Sequence, residues 1–294
     1  VGTAESGDFS VNSGVAITID ASTAIANNLT ADVPVTVVGD LIDEENQTFT
    51  VTLSSATDAS ISVGVSDVHT VTIVDNDAPP VVRIYYQGDD EVQAFDIAEG
   101  NGSFTFKVAL AGATEKNVSI DYGVDALVST TKLNQDYSGF ASSGTFTLVA
   151  GVSSQDVTVT LTSDIVDEPD QTLKVDLVSG TETNATLSGT QNTITGTILD
   201  DDLPPYVYFN NSNSTQGNEG AAGVTDQVLL TVTMTDTSEQ TVIIPYSLGG
   251  GTATEDVDFV LTDHSIEAGT AITIAPGGGL TTTIIQLDIV GDNS

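Results

Sequence analysis

The chain has 294 residues, of which 42 are acidic and only five are basic, so its formal net charge is −37 at pH 7. Because phosphate backbones and anionic membrane surfaces are bound through Lys and Arg, this composition excludes nucleic acid and such membranes as partners and points to cations. The absence of cysteine also excludes disulfides and thiolate metal sites.

Four acidic features recur along the chain at intervals of about 120–125 residues, which is the pattern of tandem repeats. They are an Asp before an aromatic residue (Asp8, Asp136, Asp258), an Asp-x-x-x-Glu loop (from Asp40 and Asp164, with Asp292 beginning a third copy), an acidic triplet (from Asp75 and Asp200) and the Glu of "AEGNG" and "NEGAAG" (Glu99, Glu219). Their order predicts three domains, which we call repeats 1, 2 and 3. Repeat 1 (1–79) lacks its opening strands, repeat 2 (80–203) is complete, and repeat 3 (204–294) lacks its closing strands.

The segments of repeat 2 predict an all-β fold. Short runs rich in Val, Thr, Ile and Phe alternate apolar with polar residues and are separated by Gly, Asn, Asp and Ser. They predict strands at 81–86, 103–110, 117–124, 144–150, 156–162, 171–178 and 192–199. About seven strands without a helical segment indicate an immunoglobulin-like antiparallel β-sandwich. Since Pro79-Pro80 and Pro204-Pro205 are stiff linkers, we expect the tandem sandwiches to form a rod.

The acidic features of repeat 2 fall in loops that we expect at one end of the sandwich. Together they bring seven carboxylates to that end: Glu99, Asp136, Asp164, Glu168, Asp200, Asp201 and Asp202. Two carboxylates 4 Å apart repel by about 4 kcal/mol near a protein surface, and several such pairs would exceed a domain stability of about 5–15 kcal/mol. Either the side chains spread into water or a cation lies among them. Calcium takes about six to eight oxygen ligands, whereas zinc prefers His or Cys and magnesium retains waters, so the cation expected is Ca²⁺.

The four features together resemble the Calx-β domain, the calcium-binding sandwich of sodium/calcium exchangers, integrin β4 and large bacterial surface proteins. The stretches that carry the resemblance are "DIAEGNGSFTFKVAL", "QDYSGFASSGTFTLVAG", "SDIVDEPDQTLKVDL" and "NTITGTILDDD". In repeat 2 the resemblance implies that the same seven acidic residues are calcium ligands.

The resemblance also implies ligands in the other two repeats. In repeat 1 they are Asp8, Asp40, Glu44, Asp75 and Asp77, and in repeat 3 they are Glu219, Asp258 and Asp292. Repeat 1 has Asn76 in the middle of its triplet, and Gln47 and Gln171 stand where the family often has a second loop Glu. Fewer charges imply weaker or fewer ions in each site. Single acids in turns, such as Asp167 and Asp170, are expected to be turn formers exposed to solvent.

These observations predict a non-enzymatic, extracellular or cell-surface protein of bacterial origin, in which calcium stiffens a multi-domain rod or fibre. The absence of Trp and the separation of His69 from His264 argue against an enzyme. The expected partners are calcium ions, neighbouring repeats or identical subunits that donate the missing strands of repeat 1, and a surface ligand that is a glycan or a protein. Two alternatives are a calcium-sensing module of the exchanger type and cadherin-like adhesion, to whose linkers "VDNDAPP" is similar.

Overall fold

The computed structural model describes residues 3–11, 14, 16–19, 30–57, 59–60, 67–87, 92–210, 215–261, 271–276 and 282–291. Strands and loops make up nearly all of this part, and its one helical turn is the 3₁₀ turn Glu99–Asn101. Within it, no helix is long and apolar enough to cross a membrane.

The described residues form 22 strands. In chain order they are β1 (Phe9–Val11), β2 (Val35–Val37), β3 (Ile42–Asp43), β4 (Gln47–Thr52), β5 (Val68–Ile73), β6 (Val81–Tyr86), β7 (Ala94–Ala98), β8 (Ser103–Ala111), β9 (Ala113–Thr114), β10 (Val118–Val124), β11 (Tyr137–Ser138), β12 (Ser143–Leu148), β13 (Ser154–Leu161), β14 (Gln171–Leu177), β15 (Thr186–Leu187), β16 (Thr193–Leu199), β17 (Val207–Phe209), β18 (Thr225–Met234), β19 (Val242–Pro245), β20 (Phe259–Leu261), β21 (Ala271–Ile274) and β22 (Thr282–Val290).

Repeat 2 consists of two five-stranded sheets, ordered β12-β10-β14-β16-β7 and β11-β13-β8-β6-β15. Strands β8, β14 and β16 bury every second residue, as the alternating sequence predicts, and these side chains meet in one core around Phe106, Ile120 and Val175. All seven predicted strands are present, and the β-sandwich is confirmed. Two edge pairings, β7 with β16 and β15 with β6, are parallel.

Repeats 1 and 3 carry smaller assemblies of the same kind. In repeat 3 the sheet β17-β18-β22-β20 and the pair β19-β21 enclose a core that includes Val232, Ile272 and Ile285. In repeat 1 the described strands form the pairs β1-β2 and β4-β5, while β3 pairs with β9 of repeat 2. Phe9 stacks on Phe49 with ring centroids 3.9 Å apart.

The aromatic residue that follows each repeated Asp anchors the acidic loop in the fold. Tyr137 is buried in the core of repeat 2, Phe9 packs on the ring of Phe49 in β4, and Phe259 is half-buried in β20. The Asp before each ring lies in a turn that leads into the strand, and its carboxylate accepts a hydrogen bond from a backbone N–H of that same turn. The Asp-aromatic pair therefore fixes one carboxylate at the rim of each repeat.

Candidate metal centre

Three carboxylates of repeat 2 come together at one end of the sandwich. Glu99, Asp164 and Asp202 each offer an oxygen, and these oxygens all lie within 4.8 Å of one another. In the described part of the chain this is the only group of three or more potential ligands so closely placed. Glu99 is only 6% exposed, and its Oε1 accepts a hydrogen bond of 3.3 Å from the backbone N–H of Asp164.

Strand register explains why residues so far apart in sequence meet here. The parallel pairing of β7 with β16 places Leu199 opposite Ala98, so the triplet from Asp200 begins beside the turn that carries Glu99. The β8–β13 pairing places Ser103 opposite Thr160, which brings the loop after β13 to the same edge. The ends of β7, β13 and β16 therefore bring the acidic residues that follow them into one place.

Burial, together with crowding of negative charge, raises the pKa of several carboxyls at this end. Burial raises the pKa of Glu99, and Asp164 and Asp202 raise it further, although the hydrogen bond from Asp164 lowers it. Burial and the neighbouring Asp200 and Asp201 likewise raise the pKa of Asp202. Each of these groups is therefore harder to ionise than an isolated carboxyl, and a nearby positive charge would lower its pKa.

Glu168 shows the largest effect. Burial, followed by the charges of Glu239, Asp164, Asp136 and Glu99, raises its pKa from 4.5 to about 7. The Oε2 atom of Glu168 also accepts a hydrogen bond of 2.6 Å from the Gln171 side chain. Glu168 and Asp136 thus face the same charged volume as the three clustered carboxylates.

The triplet residues contribute oxygens that lack partners. Asp200 Oδ1 and Asp202 Oδ2 are buried and have no hydrogen-bond partner. Asp201 lies against the backbone of Gly100, where a β-carbon would be 2.6 Å from its Oδ2, so the glycine allows this close approach. Buried oxygens without donors, next to carboxylates with raised pKa values, are the environment that a hard cation satisfies. The residues present therefore fit a calcium ion, and their role as ligands stays a prediction.

Repeat 1 gathers its predicted acids more loosely. Burial raises the pKa of Glu44, and Asp40, Asp8 and Asp75 add to the rise, so these four carboxyls share one electrostatic environment. The triplet is held locally, since the N–H of Asp77 donates to Asp75 Oδ1 at 3.3 Å. Their role as ligands also stays a prediction.

The two loop glutamines act alike in repeats 1 and 2. Gln47 donates to Glu44 at 3.1 Å, as Gln171 donates to Glu168, and Oε1 of each glutamine is buried without a partner. Each glutamine thus holds its Glu and presents a further oxygen near it.

Repeat 3 does not bring its predicted acids into a group of three within the described residues. Asp258 accepts a hydrogen bond of 2.6 Å from the N–H of Thr254, which closes its own loop. Glu219 is exposed, and Asp292 lies outside the described residues. The ligand roles of all three stay predictions.

Asp167 is not the solvent-exposed turn residue that the sequence led us to expect. It is only 8% exposed, and its side chain accepts hydrogen bonds from Ser238 Oγ (2.7 Å) and Gln240 Nε2 (3.1 Å), which belong to repeat 3. One repeat earlier, Asp43 is 4% exposed and accepts hydrogen bonds from Thr114 Oγ1 (2.8 Å) and Lys116 Nζ (2.7 Å) of repeat 2.

A signal for these contacts exists in the sequence. The segments "TEK" (Thr114 to Lys116) and "SEQ" (Ser238 to Gln240) recur at the repeat interval, in step with Asp43 and Asp167. We call the Asp and the three-residue segment that contacts it a junction. Each repeat boundary has one, made by the same loop that supplies predicted metal ligands.

Comparison with known proteins assigns the family. A sequence model of the Calx-beta domain matches residues 26–77, 91–202 and 200–274, which together make up well over half of the chain. The chain belongs to the Calx-beta family. The resemblance inferred from the four acidic features is thereby confirmed, and the match to the second Calx-beta repeat contains all seven of its predicted ligands.

Among solved structures, the chain is similar to CBD12 from CALX1.2, with 22% identity over 70% of this chain and 75% of that chain and a TM-score of 0.34. It is also similar to the apo-form Calx CBD1 domain, with 22% identity over 42% of this chain and 99% of that chain, again with a TM-score of 0.34. TM-scores this low support no argument from shape, so family membership rests on the matched residues. None of the curated proteins compared matches the chain.

Proposed function

We propose that this Calx-beta chain is a non-enzymatic structural or adhesive segment of an extracellular, cell-surface protein, and that calcium bound between acidic loops stiffens it. The observation that carries the proposal is the convergence of Glu99, Asp164 and Asp202 beside buried triplet oxygens that have no partner. Such a group is costly when empty and favourable around a divalent cation.

The chemistry of the donors favours calcium over other divalent ions. Every candidate atom in repeat 2 is an oxygen, and neither His69 nor His264 belongs to the acidic features. Zinc sites use nitrogen and sulfur, and magnesium keeps waters in a strict octahedron, whereas calcium accepts many carboxylate oxygens in irregular arrangements. Glu99 and Asp202 would bind the ion from the strand ends, and Asp164 and Glu168 from the loop between them.

The position of the centre supports a mechanical role. The triplet from Asp200 is followed directly by Pro204-Pro205 and then by β17 of the next repeat. The loop that holds Asp164 and Glu168 also holds Asp167, which contacts repeat 3. An ion at this place fixes both the loop and the chain that leaves the domain. In calcium-rich surroundings, at about a thousandfold above Kd, binding adds about 4 kcal/mol to the stability of the folded repeat.

Thermal unfolding of the whole chain tests the proposal. We expect a higher Tm in millimolar calcium than in EDTA, and a much smaller difference for the double variant Asp164→Asn, Asp202→Asn. The variant Glu182→Gln, which neutralises an acid beyond the other end of β14, serves as the matched control and should respond like the natural sequence. Identical melting curves in calcium and EDTA for the natural sequence would refute the proposal.

Scattering separates the structural role from calcium sensing. If the site is structural, it is already filled at millimolar calcium, and the shape of the chain stays the same throughout millimolar concentrations. A sensor of the exchanger type instead changes shape as calcium rises through micromolar concentrations, because its ion distinguishes two states.

A further inference from the structure

The two junctions have the same backbone geometry. At the first, β3 and β9 pair in parallel, with Asp43 opposite Thr114, and the N–H of Glu115 donates to the Asp43 carbonyl at 3.0 Å. At the second, Asp167 lies opposite Ser238 in a parallel bridge, and the N–H of Glu239 donates to the Asp167 carbonyl at 2.9 Å. The same docking contact is therefore built twice.

Each junction also brings two glutamates of like charge near each other. At the first junction the charge of Glu115 adds to burial in raising the pKa of Glu44. At the second junction the charge of Glu239 adds to burial in raising the pKa of Glu168. In both cases a carboxylate from the following repeat approaches the acidic loop of the preceding one. Docking of the repeats thus concentrates negative charge at the boundary, which opposes docking unless a positive charge is present.

The first junction contains that positive charge within the chain. Lys116 Nζ lies 2.7 Å from Asp43 Oδ1 and 3.7 Å from Asp75 Oδ2, and the Lys116 side chain is only 17% exposed. Asp75 is the first residue of the repeat 1 triplet, so the ammonium group reaches a predicted metal ligand as well as the docking Asp.

The second junction has no such charge at the matching position. Gln240 replaces Lys116 and donates to Asp167 Oδ1 and to the carbonyl of Glu168, but its amide is neutral. Asp200, the counterpart of Asp75, keeps a buried Oδ1 without a hydrogen-bond partner. Among the described residues, the first junction therefore contains a lysine between its carboxylates, whereas the second has a neutral amide at the matching position.

We infer that Lys116 is a resident cation that locks repeats 1 and 2 together without calcium, whereas the Gln240 junction between repeats 2 and 3 requires a bound divalent cation to become rigid. The second half of this inference rests on the proposed calcium function, but the first half does not. The residue at this single position, Lys or Gln, sets whether a boundary is permanently stiff or dependent on calcium.

Distance measurements across each boundary test the inference in the whole chain. Because the natural sequence has no cysteine, spin labels can be placed at will on exposed strand positions. The pair Thr52→Cys and Thr147→Cys reports the first boundary, and the pair Thr147→Cys and Thr273→Cys reports the second. In EDTA we expect a narrow distance distribution for the first pair and a broad one for the second, and calcium should narrow the second.

Exchanging the two residues should exchange the behaviour. In EDTA, Lys116→Gln should broaden the first distribution, and Gln240→Lys should narrow the second. Lys116→Arg keeps the charge and should leave the first distribution narrow, which separates a loss of charge from general damage. Circular dichroism of each variant checks that the strands remain folded.

The possible results decide the inference in either direction. A first distribution that stays narrow in Lys116→Gln, or a second that stays broad in Gln240→Lys, overturns the role of the lysine. Calorimetric titration of the natural chain with calcium decides the other half. If no calcium binds, the proposed function and the calcium dependence of the second boundary both fail, while the comparison in EDTA still decides whether Lys116 acts as the resident cation.

Discussion

Replacing Glu168 with Gln should stabilise the calcium-free protein at alkaline pH. Burial and four neighbouring carboxylates raise the pKa of Glu168 from 4.5 to about 7. The folded state therefore holds a proton that the unfolded state has released between about pH 4.5 and pH 7. The stability that this proton provides is complete below pH 4.5 and is lost as the pH rises through 7. A glutamine carries no charge, so the variant does not lose this stability.

The size of the effect follows from the pKa rise. At about 1.4 kcal/mol for each pH unit, a rise from 4.5 to about 7 corresponds to at most about 3 kcal/mol, because water around this half-buried side chain screens part of it. For a domain of about 120 residues this is roughly 10 °C in Tm. The Gln171 hydrogen bond survives the substitution, since the new amide oxygen accepts it equally well.

Thermal unfolding in EDTA at pH 5 and pH 8 measures the effect. At pH 5 the natural protein and Glu168→Gln should melt at similar temperatures, and at pH 8 the variant should melt higher. In calcium at pH 8 the order should reverse, because the variant loses a predicted ligand. The Glu182→Gln variant should follow the natural protein throughout. Parallel curves for Glu168→Gln and the natural protein at both pH values in EDTA would show that Glu168 is not electrostatically strained.

Two further predictions concern packing. Asp43→Ala should lower the free energy of unfolding by about 1–3 kcal/mol in urea titrations because it removes the buried carboxylate that accepts hydrogen bonds from Thr114 and Lys116 of the next repeat, whereas Asp156→Ala, which breaks a pair in which the Asp is 51% exposed, should cost under about 1 kcal/mol. Gly196→Ala should lower the free energy of unfolding by about 1–3 kcal/mol because its β-carbon would lie 2.8 Å from the packed ring of Phe95. In Gly123→Ala the β-carbon meets open space, so this control should be nearly neutral. Equal losses of stability in the two glycine variants would contradict the packing argument.

The core of the fold was predictable because each central strand carries its own alternation. Strands β8 and β16 bury every second residue, and their sequences show this without knowledge of their partners. Strand β7 was not predicted, because its five residues, "AFDIA", are short and include an exposed Asp96. It is defined by parallel pairing with β16, a contact between distant parts of the chain that no local pattern encodes.

The candidate metal centre was predictable for a related reason, and the junctions were not. Glu99 directly follows β7, and the triplet that ends with Asp202 directly follows β16, so the sandwich architecture alone brings them to one edge. The role of Asp167 depends instead on how repeat 3 docks on repeat 2. Its partner Ser238 is 71 residues away, and an Asp in a loop is by itself equally well explained as a turn former. Only the recurrence of both partners at the repeat interval distinguishes an Asp that contacts the next repeat from one that forms a turn.

The distribution of the few basic residues gives the acidic composition a physical meaning. Among the described residues, three lysines form ion pairs: Lys107 with Asp156, Lys174 with Asp125 and Asp176, and Lys116 with Asp43 and Asp75. Of these three, Lys116 is the one that crosses a repeat boundary. With a net charge of −37, the chain cannot neutralise its acidic loops from its own side chains, so the remaining positive charge must come from solution. The proposed function and the inferred role of Lys116 together predict that the stiffness of each boundary follows the cation concentration, except where a lysine lies in the junction.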